Sequence, residues 1–251
     1  MHDLAKFTMT DMAELGVALR GAGAGARCLE EVANRVVHCL YDQLRDVQTG
    51  GPACALIRFY KTHPYGQLPK DLQRFAGAVA GTASLASNLA CLTMLATIGD
   101  KPAWNVRSRS ERHQAVPLLS EEMIQGKPMI SRLVAQLGLD IRYVLEPDPA
   151  FLMDLGQHSF NVFYVPQALG SPYIPAQEEF VIPERIESVL GFGGLLPSGN
   201  LFAIIFFSRV PIPQATADMF KTLALNVKLA VLPFDGSVFA PPQTTETSTG
   251  D

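Results

Sequence analysis

The chain is poor in the residues and motifs that announce chemistry. It has four cysteines in 251 residues, Cys28, Cys39, Cys54 and Cys91, and none of them forms a CxxC pair. That points to buried thiols in a reducing compartment. Cys28 and Cys39 would lie about 16 Å apart on a continuous helix, too far to share an ion. Cys54 and Cys91 meet only if their strands are neighbours, and two thiols alone do not make a structural zinc site. His38, His63, His113 and His158 are scattered, with no HxxxH or HExxH. No GxxxxGK[ST] or GxSxG is present, and no cysteine has a partner histidine suggested by spacing. Nucleotide hydrolysis and nucleophilic catalysis are not expected. Gly21-Ala22-Gly23-Ala24-Gly25-Ala26 imitates a dinucleotide loop, but it ends on alanine and follows no strand, so it reads as a flexible joint between helices.

Charge is also sparse. Charged residues are 18% of the chain and the formal net charge is −4, so nothing draws the protein to nucleic acid or to an anionic membrane. No apolar run approaches the roughly 20 residues needed to cross a bilayer. Met1-His2-Asp3-Leu4-Ala5-Lys6 is not followed by a secretory apolar segment, which predicts a cytoplasmic protein.

What the chain does have is a 48% apolar composition arranged in alternating helical and strand patterns. Residues 1–10 read as a loose leader. Leu29, Val32, Val36, Leu40 and Leu44 make a helical stripe of four to five turns, stopped by Gly50-Gly51-Pro52. Ala53–Tyr60 reads as a buried strand, Asp71–Val79 as a short helix and Leu89–Ile98 as a second strand. A polar stretch, Gly99 to Pro128, holds the single tryptophan. Met129–Leu137 has helical spacing and ends at Gly138, a left-handed cap. Ile141–Leu145 and Asn161–Val165 read as strands, and Gly170–Pro183 as a proline-punctuated loop. Glu187–Leu196 and Leu201–Ser208 form a hairpin around Pro197-Ser198-Gly199-Asn200. Pro211 and Pro213 begin a closing helix bearing Phe220, Leu223, Val227 and Val231. Pro241–Asp251 is compositionally disordered. These elements predict an α+β domain.

This order of elements, together with Ala55–Tyr65, Trp104–Leu118, Ser188–Leu196 and Phe207–Pro213, resembles the GAF/PAS-like sensor fold. More narrowly, it resembles the N-terminal sensory regions of bacterial signal-transduction proteins of the histidine-kinase type. The resemblance implies a central antiparallel sheet, with framing N- and C-terminal helices on one face and a long crossover insertion on the other. It divides the chain into a flexible leader and short helix (1–24), a single GAF-like domain (25–235) and a disordered tail (236–251). It further implies a non-enzymatic input module, often dimeric and acting on a partner such as a kinase; no cofactor is predicted from the residues, although GAF-like sensors sometimes bind haem.

The insertion is the candidate binding segment. Trp104 offers an aromatic wall, and Arg107, Arg109, Arg112 and His113 gather beside it. Arginine forks onto carboxylate or phosphate, so the expected ligand is small and anionic or planar. Phe192, Phe202, Ile204 or Phe206 would supply the floor. The bland alternative is a solvated loop whose Trp104 plugs the core. The stripes Val32/Val36/Leu40/Leu44 and Phe220/Leu223/Val227 are the candidate dimer and signalling surfaces, unless both are spent on the sheet. The competing functions are a ligandless interaction scaffold or, more remotely, a haem-based gas or redox sensor.

Overall fold

The middle of the molecule is the strand Cys54–Pro64, whose residues are buried on both faces apart from Arg58 and Pro64, which are half-buried. The structure is a computed structural model that describes residues 1–82, 84–111, 113–145 and 161–240. In chain order it contains β1 (His2–Asp3), α1 (Met9–Gly21), α2 (Leu29–Gln43), β2 (Leu44–Arg45), β3 (Cys54–Pro64), α3 (Lys70–Ala80), β4 (Ala90–Gly99) and β5 (Ala115–Pro117). Then come α4 (Glu121–Gln125), α5 (Pro128–Gln136), α6 (Ile141–Leu145), β6 (Val162–Val165), β7 (Ser188–Leu195), β8 (Leu201–Ser208) and α7 (Gln214–Val231).

Six strands form an antiparallel sheet in the order β5-β4-β3-β8-β7-β6. The protein is therefore α+β, with helices on both sides of this sheet. Among the described residues no helix is long and apolar enough to cross a membrane.

One face of the sheet is covered by α1, α2 and α7. Val32, Val36, Leu40, Leu44, Phe220, Leu223 and Val227 are all fully buried there. The expected signalling stripes are thus consumed inside the protomer, because they are the residues of each helix that face the sheet. Phe220 sits 5.4 Å from Phe192 and 5.2 Å from Phe206, ring centre to ring centre. The other face carries α4, α5, α6 and the segment 168–186 over a second apolar cluster.

The ends of the chain are more ordered than their composition suggests. The leader pairs β1 with β2, buries Leu4 and Phe7, and enters α1 through a reciprocal Thr8–Asp11 cap. The glycine-rich joint is pinned by Arg35, which donates to the carbonyls of Ala22 and Ala24. A Cβ at Gly23 would lie 2.6 Å from the Ala230 carbonyl oxygen. Residues 237 and 238 accept from the first amides of α2, Leu29 and Glu30, so this part of the expected tail caps a helix. Residues 241–251 lie outside the described residues.

Other local expectations change as well. Ile141–Leu145 is helical, with Asp140 accepting from the Arg142 amide at its start. The loop 170–183 contains a π-helical turn, Gln177–Val181. Pro213 occupies the cap position of α7 and Pro211 precedes it, so both stand before the first turn. Gly138 does adopt the left-handed conformation, with φ 75°.

Candidate ligand-binding pocket

A cavity of about 500 Å³ opens between the second face of the sheet and the segments that cross it. Trp104, Arg109 and His113 line it, as does Val106. Its floor, however, is Leu56, Arg58 and Tyr60 of β3 with Ile205 and Phe207 of β8. Phe192, Phe202, Ile204 and Phe206 point the other way, into the helix-covered core. Side chains alternate along a strand, so a shift of one residue moves the whole set to the opposite face.

Trp104 is held in place from several sides. Its amide donates to Lys101 O (2.8 Å) and its carbonyl accepts from the Thr97 hydroxyl (2.8 Å). The Lys101 ammonium sits 4.9 Å from the centre of its ring. Gly99 makes room for the indole: a Cβ there would lie 2.9 Å from Trp104 Cε3 and 2.6 Å from the Ala55 carbonyl oxygen. On the pocket side Trp104 meets Phe180 edge-on at 5.6 Å, and Phe180 meets Phe207 at 4.9 Å. Phe180 belongs to the π-helical turn. That region is fixed by Gln177, whose amide donates to Ile174 O and Ala168 O and accepts from Gly170 N.

The arginines divide by role. Arg107 leaves the pocket, pairs with Glu30 in the first turn of α2 and packs over Phe239. Arg109 is exposed at the mouth, and Arg112 lies outside the described residues. The arginine inside is Arg58, which spacing around Trp104 did not suggest. A single charge in the apolar run Ala55–Tyr60 is the signal that marks it.

A chain of ion pairs runs from the insertion to the helix face. Lys101 pairs with Glu184, Glu184 with Arg209 (3.1 Å), and Arg209 with Asp100, which accepts from the Tyr41 hydroxyl of α2. Burial and the neighbouring Asp100 charge both push the Tyr41 hydroxyl pKa up, keeping it a donor. The insertion therefore grips α2 twice, through Glu30 and through Tyr41.

A second cluster of titratable groups lies on the helix face of β3. Lys61, fully buried, pairs with Asp235 at 3.4 Å, and Asp235 also accepts from the Ser198 amide and hydroxyl. Burial lowers the Lys61 pKa. Burial first, and the Lys61 charge second, hold His63 down to about 4. The four cysteines are free thiols. Cys91 pairs with His63 near one end of the β3–β4 ladder, whereas Cys54 lies beyond its other end, so the two never approach. Burial pushes the Cys91 thiol up to about 12. Among the described residues no group of three or more His, Cys, Asp or Glu side chains is arranged to hold a metal ion. A comparison with known families finds no matching family model, and a comparison with curated proteins finds no similar sequence.

Proposed function

We propose that the chain is a non-enzymatic, GAF-like sensory domain of bacterial signal transduction. In this reading it binds a small molecule under Trp104 and passes the bound state through its framing helices to a partner such as a kinase. The observation that carries the reading is the cavity of about 500 Å³, within the size range of small-molecule sites and mostly apolar with a few polar groups. The order of helix, strands, insertion, hairpin and closing helix supports the GAF-like assignment. The links from the insertion to Glu30 and Tyr41 give a bound ligand a route to α2. A shift follows only if the ligand favours one arrangement of insertion and helix over another.

Native mass spectrometry of the protein from its own cells tests this. A retained small molecule is expected in the wild type and is lost in Trp104→Ala. A wild-type protein with nothing bound, and no thermal shift across a metabolite panel, would overturn it. The visible spectrum is expected to be featureless, whereas a Soret band would favour the haem alternative.

A scaffold reading is favoured by one observation: Leu225, Leu229 and Leu232 form an exposed apolar row on the outer side of the C-terminal helix and its end. On that reading the protein is a homodimer in light scattering and Leu229→Glu makes it monomeric, with no ligand required.

A further inference from the structure

We infer that the pocket takes a monocarboxylate with an apolar or aromatic body, and that Arg58 is the residue that receives the carboxylate. This rests on the ligand-binding reading above and names the ligand class for the same cavity.

Arg58 stands in the middle of the floor. Its cross-strand neighbours are Thr97 on β4 and Ile205 on β8, and Leu56 and Tyr60 flank it along β3. None of these is acidic. Its Nε is closed off from solvent and has no hydrogen-bond partner among the described residues. Among the described residues Arg58 forms no ion pair, although the protein pairs Arg27, Arg107, Arg142 and Arg209 with carboxylates. A buried, unpartnered Nε in an otherwise apolar floor is an unsatisfied donor in the empty protein, and an apolar residue of similar volume would pack there without it. A planar fork of donors at the base of an apolar cavity is the arrangement that recognises a carboxylate.

The charge around the mouth narrows the choice further. Glu111 and Glu179 line the cavity with Arg109. With Arg109 offsetting one of them, the two acids leave this part of the lining with a net negative charge, which opposes a multiply charged phosphate more than a single negative charge that travels to the floor. The body of the ligand would lie against Trp104, Phe180, Met129 and Leu133. Trp104 is the only tryptophan, so its emission reports occupancy without interference.

The test titrates the full chain with 4-phenylbutyrate and octanoate, and with the matched uncharged 4-phenylbutyramide and octanamide. Trp104 emission and calorimetry read the binding. The acids are expected to bind at least tenfold more tightly than the amides. Arg58→Met should remove that preference while leaving amide binding within about threefold. Arg58→Lys, which keeps the charge but not the fork, should retain part of it and serves if Arg58→Met does not fold. Arg109→Ala should change acid binding by less than threefold. Equal binding of acid and amide by the wild type, or an undiminished preference in Arg58→Met, would overturn the assignment to Arg58 and leave the pocket standing. If neither acids nor amides bind and native mass spectrometry finds nothing retained, the ligand-binding reading itself fails, and this inference with it.

Discussion

The two faces of the same sheet are built on opposite principles. On the helix face Phe59, Phe192, Phe202, Phe206 and Phe220 are all fully buried in one apolar cluster with the helices that cover them. On the other face the strands are equally apolar, yet the covering segments stand off and leave a cavity with a charged residue at its base. A loosely packed small protein would show gaps on both sides. Here the closure of one face makes the space on the other a local property of the insertion, which is propped open by Gln177, Lys101 and the Trp104–Phe180 contact. The first face is the packed core, and the second holds the cavity on which the proposed recognition rests.

That division is broken most directly by truncating one large side chain on each face. Phe220→Ala leaves a hole among Phe7, Phe192 and Phe206 and should cost about 3–5 kcal/mol. Phe207→Ala enlarges a cavity that already exists and should cost less than half as much. Urea melts of the two variants decide it, and equal losses would mean that the pocket wall is as much a part of the core as the helices.

A second test uses pH and the helix face alone. Buried His63 binds its proton at about 4 in the folded protein, against 6.5 when free. Between those values the unfolded chain holds more protons, so stability is full above about pH 6.5 and declines as pH falls toward 4. The loss reaches about 3 kcal/mol at most. Lys61 and Asp235 are the charges facing the ring, one opposing its protonation and the other favouring it. His63→Leu should flatten this part of the stability profile relative to wild type. Parallel profiles for the two proteins would show that His63 is not the group responsible.

The same contrast explains what could be read from the amino-acid order. The helical stripes and the hairpin were legible because each repeats an apolar residue at the period of its element. The segment around Trp104 is compatible in sequence with a pocket lining and with a solvated loop, because one aromatic among arginines suits both. The floor of the pocket was not legible. Leu201–Ser208 is apolar at almost every position, being buried on both faces, so no alternation says whether Phe206 or Phe207 looks toward the insertion. The order of the leader is hidden for the opposite reason: its anchoring depends on β2 and α7, partners far away in sequence, and on one local Thr8–Asp11 cap. Ile141–Leu145 has the residues of a strand, and a single turn closed from Asp140 and packed against α4 and α5 overrides that preference.

Smaller effects sharpen the comparison at the junction between the faces. Gly99→Ala places a methyl against the Ala55 carbonyl and the indole, so the backbone or the tryptophan must move. About 1–3 kcal/mol of stability should be lost. The emission of Trp104 should shift even in the folded variant, which a purely structural loss elsewhere would not produce.

The weakest and most specific test is Arg107→Ala. Its pair with Glu30 is partly exposed, so the stability change should be no more than about 1 kcal/mol. Its consequence should be local: faster hydrogen exchange at the first turn of α2, where residues 237 and 238 also supply the cap, and unchanged exchange along β7 and β8. If the insertion steers α2, a bound ligand that slows exchange in that turn of the wild type should lose this effect in Arg107→Ala while still quenching or shifting Trp104. Loss of both responses together would place Arg107 in the pocket rather than between the pocket and the helix. Retention of both would shift the connection from insertion to helix onto the Lys101–Glu184–Arg209–Asp100–Tyr41 series.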